Sequence, residues 1–267
     1  MIQYNYMSTT ESEGDEVIMA YPFNHKEFIA MMEQYNLKSN IITIPEHTIL
    51  NDLVTENQDC VYLLKSGILA GYIDFDNDKI YSIFTANFFM GYYTIFENTP
   101  LVLTYQTLTE CEVIIYKKKD IEYSLSLFPE NFGFQYTIMR TIAKHGYYKS
   151  LLQYRDKKDQ LAFVFEMLVK ILDIPVEDGV AVLPKSISTT VIKNYCTLSK
   201  AFFYSQLKEL KEAGIISKVK LQWHINMEAL LEKTIRSSKK KGAAYKTAPF
   251  FYLIAKVKIL TSCSFPP

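Results

Sequence analysis

The sequence is poor in the residues that build metal and redox centres, holding four cysteines and four histidines in 267 residues. Cys60, Cys111, Cys196 and Cys263 form no CxxC pair and no cluster with ligand spacing. His25, His47, His145 and His224 are scattered, so no metal site is supported. Long apolar runs are missing too. The longest, Pro249 to Leu260, is interrupted by Lys256 and Lys258, well short of the roughly 20 residues that span a bilayer. No membrane partner is expected. The chain opens on a polar and then acidic stretch rather than a signal peptide, so a cytoplasmic location with reduced thiols is expected.

A net charge is also missing, but the zero hides an asymmetry. Residues 1–139 hold 7 Lys and Arg against 19 Asp and Glu, whereas residues 140–241 hold 19 against 10. An acidic half joined to a basic half suggests that only the second meets a polyanion. Segregation over solvated surfaces is the alternative and stays open on charge alone. Hydrophobic residues make up 49% of the chain, enough for one large domain or two ordinary ones.

The texture changes along the chain. Residues 1–23 read as a loose arm containing the disorder-like run STTESEGDE. Asn24 to Asn36 carries Phe28, Met31, Met32 and Tyr35 at helical spacing. From Ile41 to Tyr116, β-branched and aromatic runs alternate with turn residues. The runs are Ile41–Ile44, Cys60–Leu64, Ile68–Asp74, Lys79–Phe84, Leu101–Gln106 and Glu112–Tyr116. This spacing predicts a sandwich or barrel, with Asp76-Asn77-Asp78 as a hairpin turn. Lys117-Lys118-Lys119 reads as a solvated turn. After Pro129 a proline-free stretch predicts one long helix over 130–158, with Phe134, Ile138, Ile142, His145, Tyr148 and Leu152 recurring every three or four residues. A stripe about six turns long needs a partner along its length; a second copy presents the same face, and the chain's own sheet is the other candidate. Gly146 inside it permits close helix approach or marks a kink. A second helix, Gln160 to Leu172, follows, and Asp173 to Gly179 reads as a turn.

The most informative segment is Leu183 to Leu231. Ser188 can cap a short helix bearing Val191, Ile192 and Tyr195. Cys196-Thr197-Leu198 is a brief connection, and Ser199 can cap a helix from Lys200 to Ala213 that Gly214 ends. A strand from Ile215-Ile216, lysines 218 and 220, and a return through Trp223 make a basic hairpin. Two short helices across a tight turn, then a basic hairpin, form the pattern of a winged helix-turn-helix. Phe203, Leu207 and Leu210 would lock the second helix onto the first. Lys200, Ala201, Tyr204 and Ser205 would then face a major groove. Ser188, Thr189, Thr197, Ser199, Lys208, Lys218 and Lys220 would sit near phosphates.

The order of elements, and several motifs, resemble the Crp/Fnr family of bacterial regulators over roughly Asn24 to Lys233. Val61-Tyr62-Leu63-Leu64-Lys65-Ser66-Gly67 is similar to the family's strand and first roll glycine. Phe88-Phe89-Met90-Gly91 is similar to its glycine turn, with Asn87 and Phe88 in place of Gly-Asp. Thr109-Glu110-Cys111-Glu112-Val113 and the run Leu198-Ser199-Lys200 through Leu210 to Ile216 resemble its later strand and its recognition helix. The resemblance implies an α+β fold: a β-roll of the cupin-like jelly-roll kind over 24–129, a dimerisation helix over 130–158, a winged helix-turn-helix over 159–236 and a tail over 237–267. It also implies a homodimer on a pseudo-palindromic DNA operator, recruiting RNA polymerase as an activator. Within the family the aromatic texture is most similar to the PrfA-like regulators, for which a thiol peptide such as glutathione is a conceivable effector.

The departures from the family carry expectations of their own. Cyclic-nucleotide binders place Gly-Glu and later Arg-Ser against ribose and phosphate. Here Tyr92 follows Gly91, and Leu101-Val102 align with Arg-Ser. An anionic phosphate would meet apolar side chains without a cation, at a cost of several kcal/mol, so cAMP is not expected as a ligand. The N-terminal cysteine cluster of oxygen sensors is missing, so no iron–sulfur cluster is expected. His145 on the helical stripe reads as a packed residue rather than a haem ligand. Cys60, Cys111 and Cys196 read as core. Tyr62, Tyr72, Tyr81, Tyr92, Tyr93 and Tyr105 crowd the roll, either as core or as the lining of an effector pocket. The run Ser237 to Lys241 reads as a flexible tail. Two other readings remain: a helical adaptor that never touches DNA, and a cupin-like enzyme. The enzyme lacks its metal cluster, because His47 is the only histidine between Ile41 and Tyr116.

Overall fold

The computed structural model describes residues 30, 39–50, 59–74, 78–90, 103–127 and 131–239, the side chains at 74, 125, 127, 131–137 and 235–239 excepted. The arm, the segment Asn24 to Asn36 apart from Ala30, the glycine turn at Gly91, and the tail beyond residue 239 lie outside the described residues.

The first half is a two-sheet roll. Its strands are β1 (Asn40–Ile44), β2 (Cys60–Ser66), β3 (Leu69–Asp74), β4 (Lys79–Phe84), β5 (Phe88–Met90), β6 (Thr104–Thr107) and β7 (Cys111–Lys117). They pair as β1-β7-β2-β5 and β4-β3-β6. All described pairings are antiparallel; Leu63, for instance, faces Phe89 on one side and Ile114 on the other. Alternation along these short strands turns Tyr62, Leu64, Leu69, Phe84, Tyr105 and Val113 into one core between the sheets. Phe84 and Phe88 stack with centroids 3.9 Å apart, and a Cβ on Gly71 would come within 2.7 Å of the Phe84 ring. Aromatic rings therefore fill this part of the roll. Tyr62, Tyr72 and Tyr105 are core residues and Tyr81 packs against the same core; Tyr92 and Tyr93 lie outside the described residues. Gly67 is required for two reasons. Its φ is +102°, and a Cβ there would sit 2.5 Å from Cys111 Sγ and 2.6 Å from the Glu110 carbonyl.

Helix α1 (Lys118–Leu127) begins directly after β7, so the three lysines start a helix rather than a solvated turn. Ile121 and Ser124, three residues apart, are buried and anchor it. Helix α2 (Asn131–Tyr154) is the long helix, and α3 (Lys157–Ile171) follows after one tight turn. The segment read as a turn is in fact a hairpin, β8 (Val176–Glu177) and β9 (Val180–Val182), closed by Asp178 at φ 48° and Gly179 at φ 77°. Asp-Gly is the residue pair such a two-residue hairpin turn favours. Then come α4 (Thr189–Tyr195), α5 (Lys200–Glu212), β10 (Ile216–Val219), β11 (Gln222–Asn226) and α6 (Met227–Lys239). The third sheet runs β10-β11-β9-β8.

The stripe on α2 faces the chain's own interior. Ile138 and His145 are 6% exposed and Leu152 is fully buried. Tyr148 packs against the same core from a half-buried position. Ile142 is intermediate, and the Phe134 side chain lies outside the described residues. For Ile138, His145 and Leu152 this corrects the assignment to a dimer contact: periodicity identified a buried face, and the sheet and α3 bury those three residues within the chain. Leu152, together with Ala70, Tyr72, Ile80, Ile83 and Leu108 of the roll, belongs to one core with the apolar residues of α3 to α6. Roll and C-terminal unit are packed as a continuous body.

Candidate nucleic-acid interface

The reading unit is built from caps and an apolar lock. Ser188 has extended backbone and its hydroxyl accepts from Val191 N at 3.2 Å, opening α4. Ser199 does the same for α5, accepting from Phe202 N at 3.4 Å. Each satisfies one of the amides a helix start leaves unpaired. Gly214, at φ 67°, ends α5 in the left-handed region. Phe203, Gln206, Leu207 and Leu210 form the buried side of α5. The three-to-four spacing of those residues turns Lys200, Ala201, Tyr204, Ser205 and Lys208 to solvent. All four proposed base readers thus share one free face, with Tyr204 47% exposed.

The wing is welded to this helix through the only tryptophan. Trp223 on β11 is buried, 5.6 Å from the Phe165 ring in an edge contact. Lys211 of α5 lies 5.3 Å from its ring centroid and Lys218 of β10 lies 5.0 Å away. Both are cation–π distances. Lys218 also donates to Thr189 Oγ1 at 3.2 Å, tying the wing to the start of α4. Lys220 is exposed at the wing tip, with φ 47° in a two-residue turn completed by Leu221 at φ 70°.

The phosphate candidates divide into two groups. Lys208, Lys218 and Lys220 are exposed cations; Lys208 shares its charge with Glu212 at 3.7 Å across solvent, a pair of little strength. The hydroxyls are engaged inside the fold. Ser188 and Ser199 serve as caps, Thr189 accepts from Lys218, and Thr197 donates to Gln160 Oε1 at 2.9 Å. Ser188, Ser199 and Thr189 only accept in these bonds and keep their own O–H to donate, whereas Thr197 spends its hydroxyl proton on Gln160. Lys185 and Lys211 are further exposed cations of this unit. Lys211, three residues after Lys208, lies on the same outward stripe of α5 and is missed by the sequence reading, whereas Lys185 precedes α4 and no periodicity marks it.

Behind the reading unit lies a buried polar junction. Lys149 of α2 donates to the Ile80 carbonyl of β4 at 2.7 Å and to the Tyr195 carbonyl of α4 at 3.0 Å. Burial pulls its ammonium down to about 8. His145, one turn earlier, is hydrogen-bonded through Nδ1 to Ser82 and packs 4.7 Å from the Phe84 ring. Burial, and after it the charge of Lys144, lowers the imidazole to about 4, so it is neutral at pH 7. Burial pushes the Cys196 thiol up to about 12, leaving it protonated and unreactive. Cys111 is also buried, and Cys60 is half-buried. Among the described residues no three His, Cys, Asp or Glu side chains gather into a metal-binding group. No described helix is long and apolar enough to cross a membrane.

No sequence-family profile and no curated protein matches the chain. Solved structures do. A cyclic nucleotide-binding domain containing protein from Listeria monocytogenes EGD-e superposes with TM-score 0.62 at 18% identity, covering 76% of this chain and 98% of that one. The c-di-GMP responsive global regulator CLP of Xanthomonas campestris gives 0.58 at 17%, covering 74% and 98%. A CRP-family transcriptional regulator from Thermus thermophilus gives 0.58 at 14%, covering 78% and 100%. Each match spans nearly the whole neighbour, roll and reading unit together. The chain therefore has the fold of the Crp/Fnr regulators, a β-roll joined by one long helix to a winged helix-turn-helix.

Proposed function

We propose that the protein is a homodimeric, DNA-binding transcription regulator of the Crp/Fnr type that reads a pseudo-palindromic operator with α5 and acts as an activator through RNA polymerase. One observation carries this reading: Lys200, Ala201, Tyr204 and Ser205 are exposed together on α5 while Phe203, Leu207 and Leu210 hold its other side. Lys can reach guanine, Ala a thymine methyl, and Ser and Tyr several base edges. The wing lysines flank the same unit.

The second copy belongs on the other side of α2. Met139, Ala143, Tyr147, Ser150 and Tyr154 recur at three- and four-residue spacing on the face away from His145 and Leu152. All five are exposed, Met139 by 69%, Tyr147 by 55% and Tyr154 by 81%. Exposed aromatics in a seam of coiled-coil spacing fit the same seam on a two-fold mate. Such a mate would present both reading helices about 34 Å apart, one duplex turn.

Regulation by cyclic nucleotide is not part of this reading. The support is in the sequence, where Tyr92 follows Gly91 and Leu101-Val102 bring no cation. The test of the whole reading is selection from a random duplex library followed by binding at two salt concentrations. If Lys208, Lys218 and Lys220 of each subunit neutralise phosphates, log K falls with log salt at a slope of about −5. Affinity then drops roughly a thousandfold between 50 and 200 mM salt. A library that yields no enriched two-fold site refutes it and leaves the adaptor reading standing.

A further inference from the structure

The polar ties behind the reading unit join three parts of the chain that are distant in sequence. Lys149 lies on α2, Ile80 on the roll, and Tyr195 is the last residue of α4. Among the described strands β4 is the edge of its sheet, with no strand pairing to its outer side, and Lys149 satisfies the Ile80 carbonyl. The Tyr195 carbonyl is one of the orphans at a helix end. Lys149 satisfies it as well, with its ammonium 4.4 Å from the Tyr195 ring centroid. A second tie lies alongside. Gln160 Nε2 donates to the Leu152 carbonyl at 3.0 Å and the Arg155 carbonyl at 3.3 Å, and its Oε1 accepts from Thr197 at 2.9 Å. Both ties end in the short connection before Ser199, the cap of α5. Around them the apolar core is continuous from Ile80 and Ile83 to Ile192 and Tyr195. Apolar surfaces alone would let α4 slide on β4; directional bonds to two backbone carbonyls do not.

We propose that Lys149 is a positioning residue for DNA reading: it fastens the turn before α5 to edge strand β4, so that the state of the roll sets the direction in which α5 points. This rests on the reading of α5 as the DNA-contacting helix. A methionine would fill the same channel without the desolvation that depresses the Lys149 ammonium. What the ammonium adds over a methionine is its bonds to two carbonyls that would otherwise lose their donor. Shifting β4 moves the Ile80 carbonyl, the ammonium follows, and the Tyr195 carbonyl and Ser199 move with it.

The test uses the full chain carrying spin labels at Lys65→Cys on the roll and Glu212→Cys at the end of α5, with Cys60→Ser and Cys263→Ser, diluted with unlabelled protein. Pulsed electron–electron distances are compared with and without Lys149→Met. The unaltered tie gives one narrow distribution. Lys149→Met broadens it roughly twofold, as expected when a rigid-body joint is released. Affinity for the selected duplex falls roughly tenfold if the competent orientation drops to a tenth of the population. Lys149→Arg, which keeps the donors, restores both. An unchanged distribution in Lys149→Met overturns the proposal, whatever the stability of the variant. Should that variant fail to fold, Lys149→Gln, whose shorter amide cannot reach both carbonyls, must broaden the same distribution; no change there overturns it too. If the distances broaden but the parent protein selects no duplex, the tie stands and the DNA reading of α5 is what fails.

Discussion

His145 sets an acid limit on the protein that can be worked from its surroundings. It is 6% exposed, hydrogen-bonded to Ser82 and packed on Phe84. Burial, with Lys144 second, holds its imidazole at about 4, against 6.5 in the ordinary case. The folded value lies below the unfolded one, so as pH falls the unfolded chain takes up the proton first. Stability from the neutral ring is therefore whole above 6.5 and is lost as pH drops towards 4. The complete loss is about 3 kcal/mol at 1.36 kcal/mol per unit, and about 2 kcal/mol of it is gone by pH 5. Urea unfolding of the wild type and His145→Gln at pH 7 and pH 5 isolates this, because carboxylate titrations common to both cancel. The wild type should lose about 2 kcal/mol relative to the variant between the two pH values. An equal gap at both would show that the ring titrates normally and that the junction is wet.

Other substitutions test separate links. Gly67→Ala combines a left-handed φ of +102° with a Cβ 2.5 Å from Cys111 Sγ and should cost about 2–3 kcal/mol in urea unfolding; a smaller loss would mean the turn yields. Gly146→Ala should stabilise by about 1 kcal/mol, since the added methyl meets only the Tyr81 hydroxyl at 3.5 Å; a lowered melting temperature would reveal another helix closing on that position. Tyr147→Asp places a charge in the exposed seam of α2 and should give single chains in sedimentation at micromolar concentration, whereas an unchanged assembly would put the mate elsewhere. Lys200→Ala should weaken operator binding by about 1–3 kcal/mol and relax one base position, and a site-library profile identical to the wild type would remove Lys200 from the readers.

The elements with strong local signals are legible in the sequence. Lys79–Phe84 can be read to the residue, and Ser188, Ser199 and Gly214 bound their helices as their chemistry requires. The short strands are harder. Phe88–Met90 has three residues, all buried, so alternation has nothing to register. Helix α1 is hidden by Lys117-Lys118-Lys119, whose charge suggests a turn, although Ile121 supplies the anchor. The β8–β9 hairpin does carry a signal, Asp178-Gly179, but the flanking valines are too few to reveal strands. Side-chain ties such as Lys149 to Ile80 span 69 residues. No local pattern contains them, because they depend on how the sheet and helices are stacked.

Helix α2 shows why periodicity finds the right helix and the wrong neighbour. A three-to-four spacing identifies faces, not what covers them, and α2 is apolar on two. One face, with Ile138, His145 and Leu152, is covered by the chain itself; the other, with Met139, Tyr147 and Tyr154, is exposed among the described residues. A helix that carries apolar residues on two sides cannot be strongly amphipathic, so its sequence points to neither. The arrangement has a mechanical consequence. Tyr147 and Lys149 are two residues apart on opposite sides of one rigid rod, so in the proposed dimer a change in how the second copy seats on Tyr147 would rotate the Lys149 tie. Such a change would reach Ser199 without passing through the roll interior, where Phe84 and Phe88 already fill the space between the sheets.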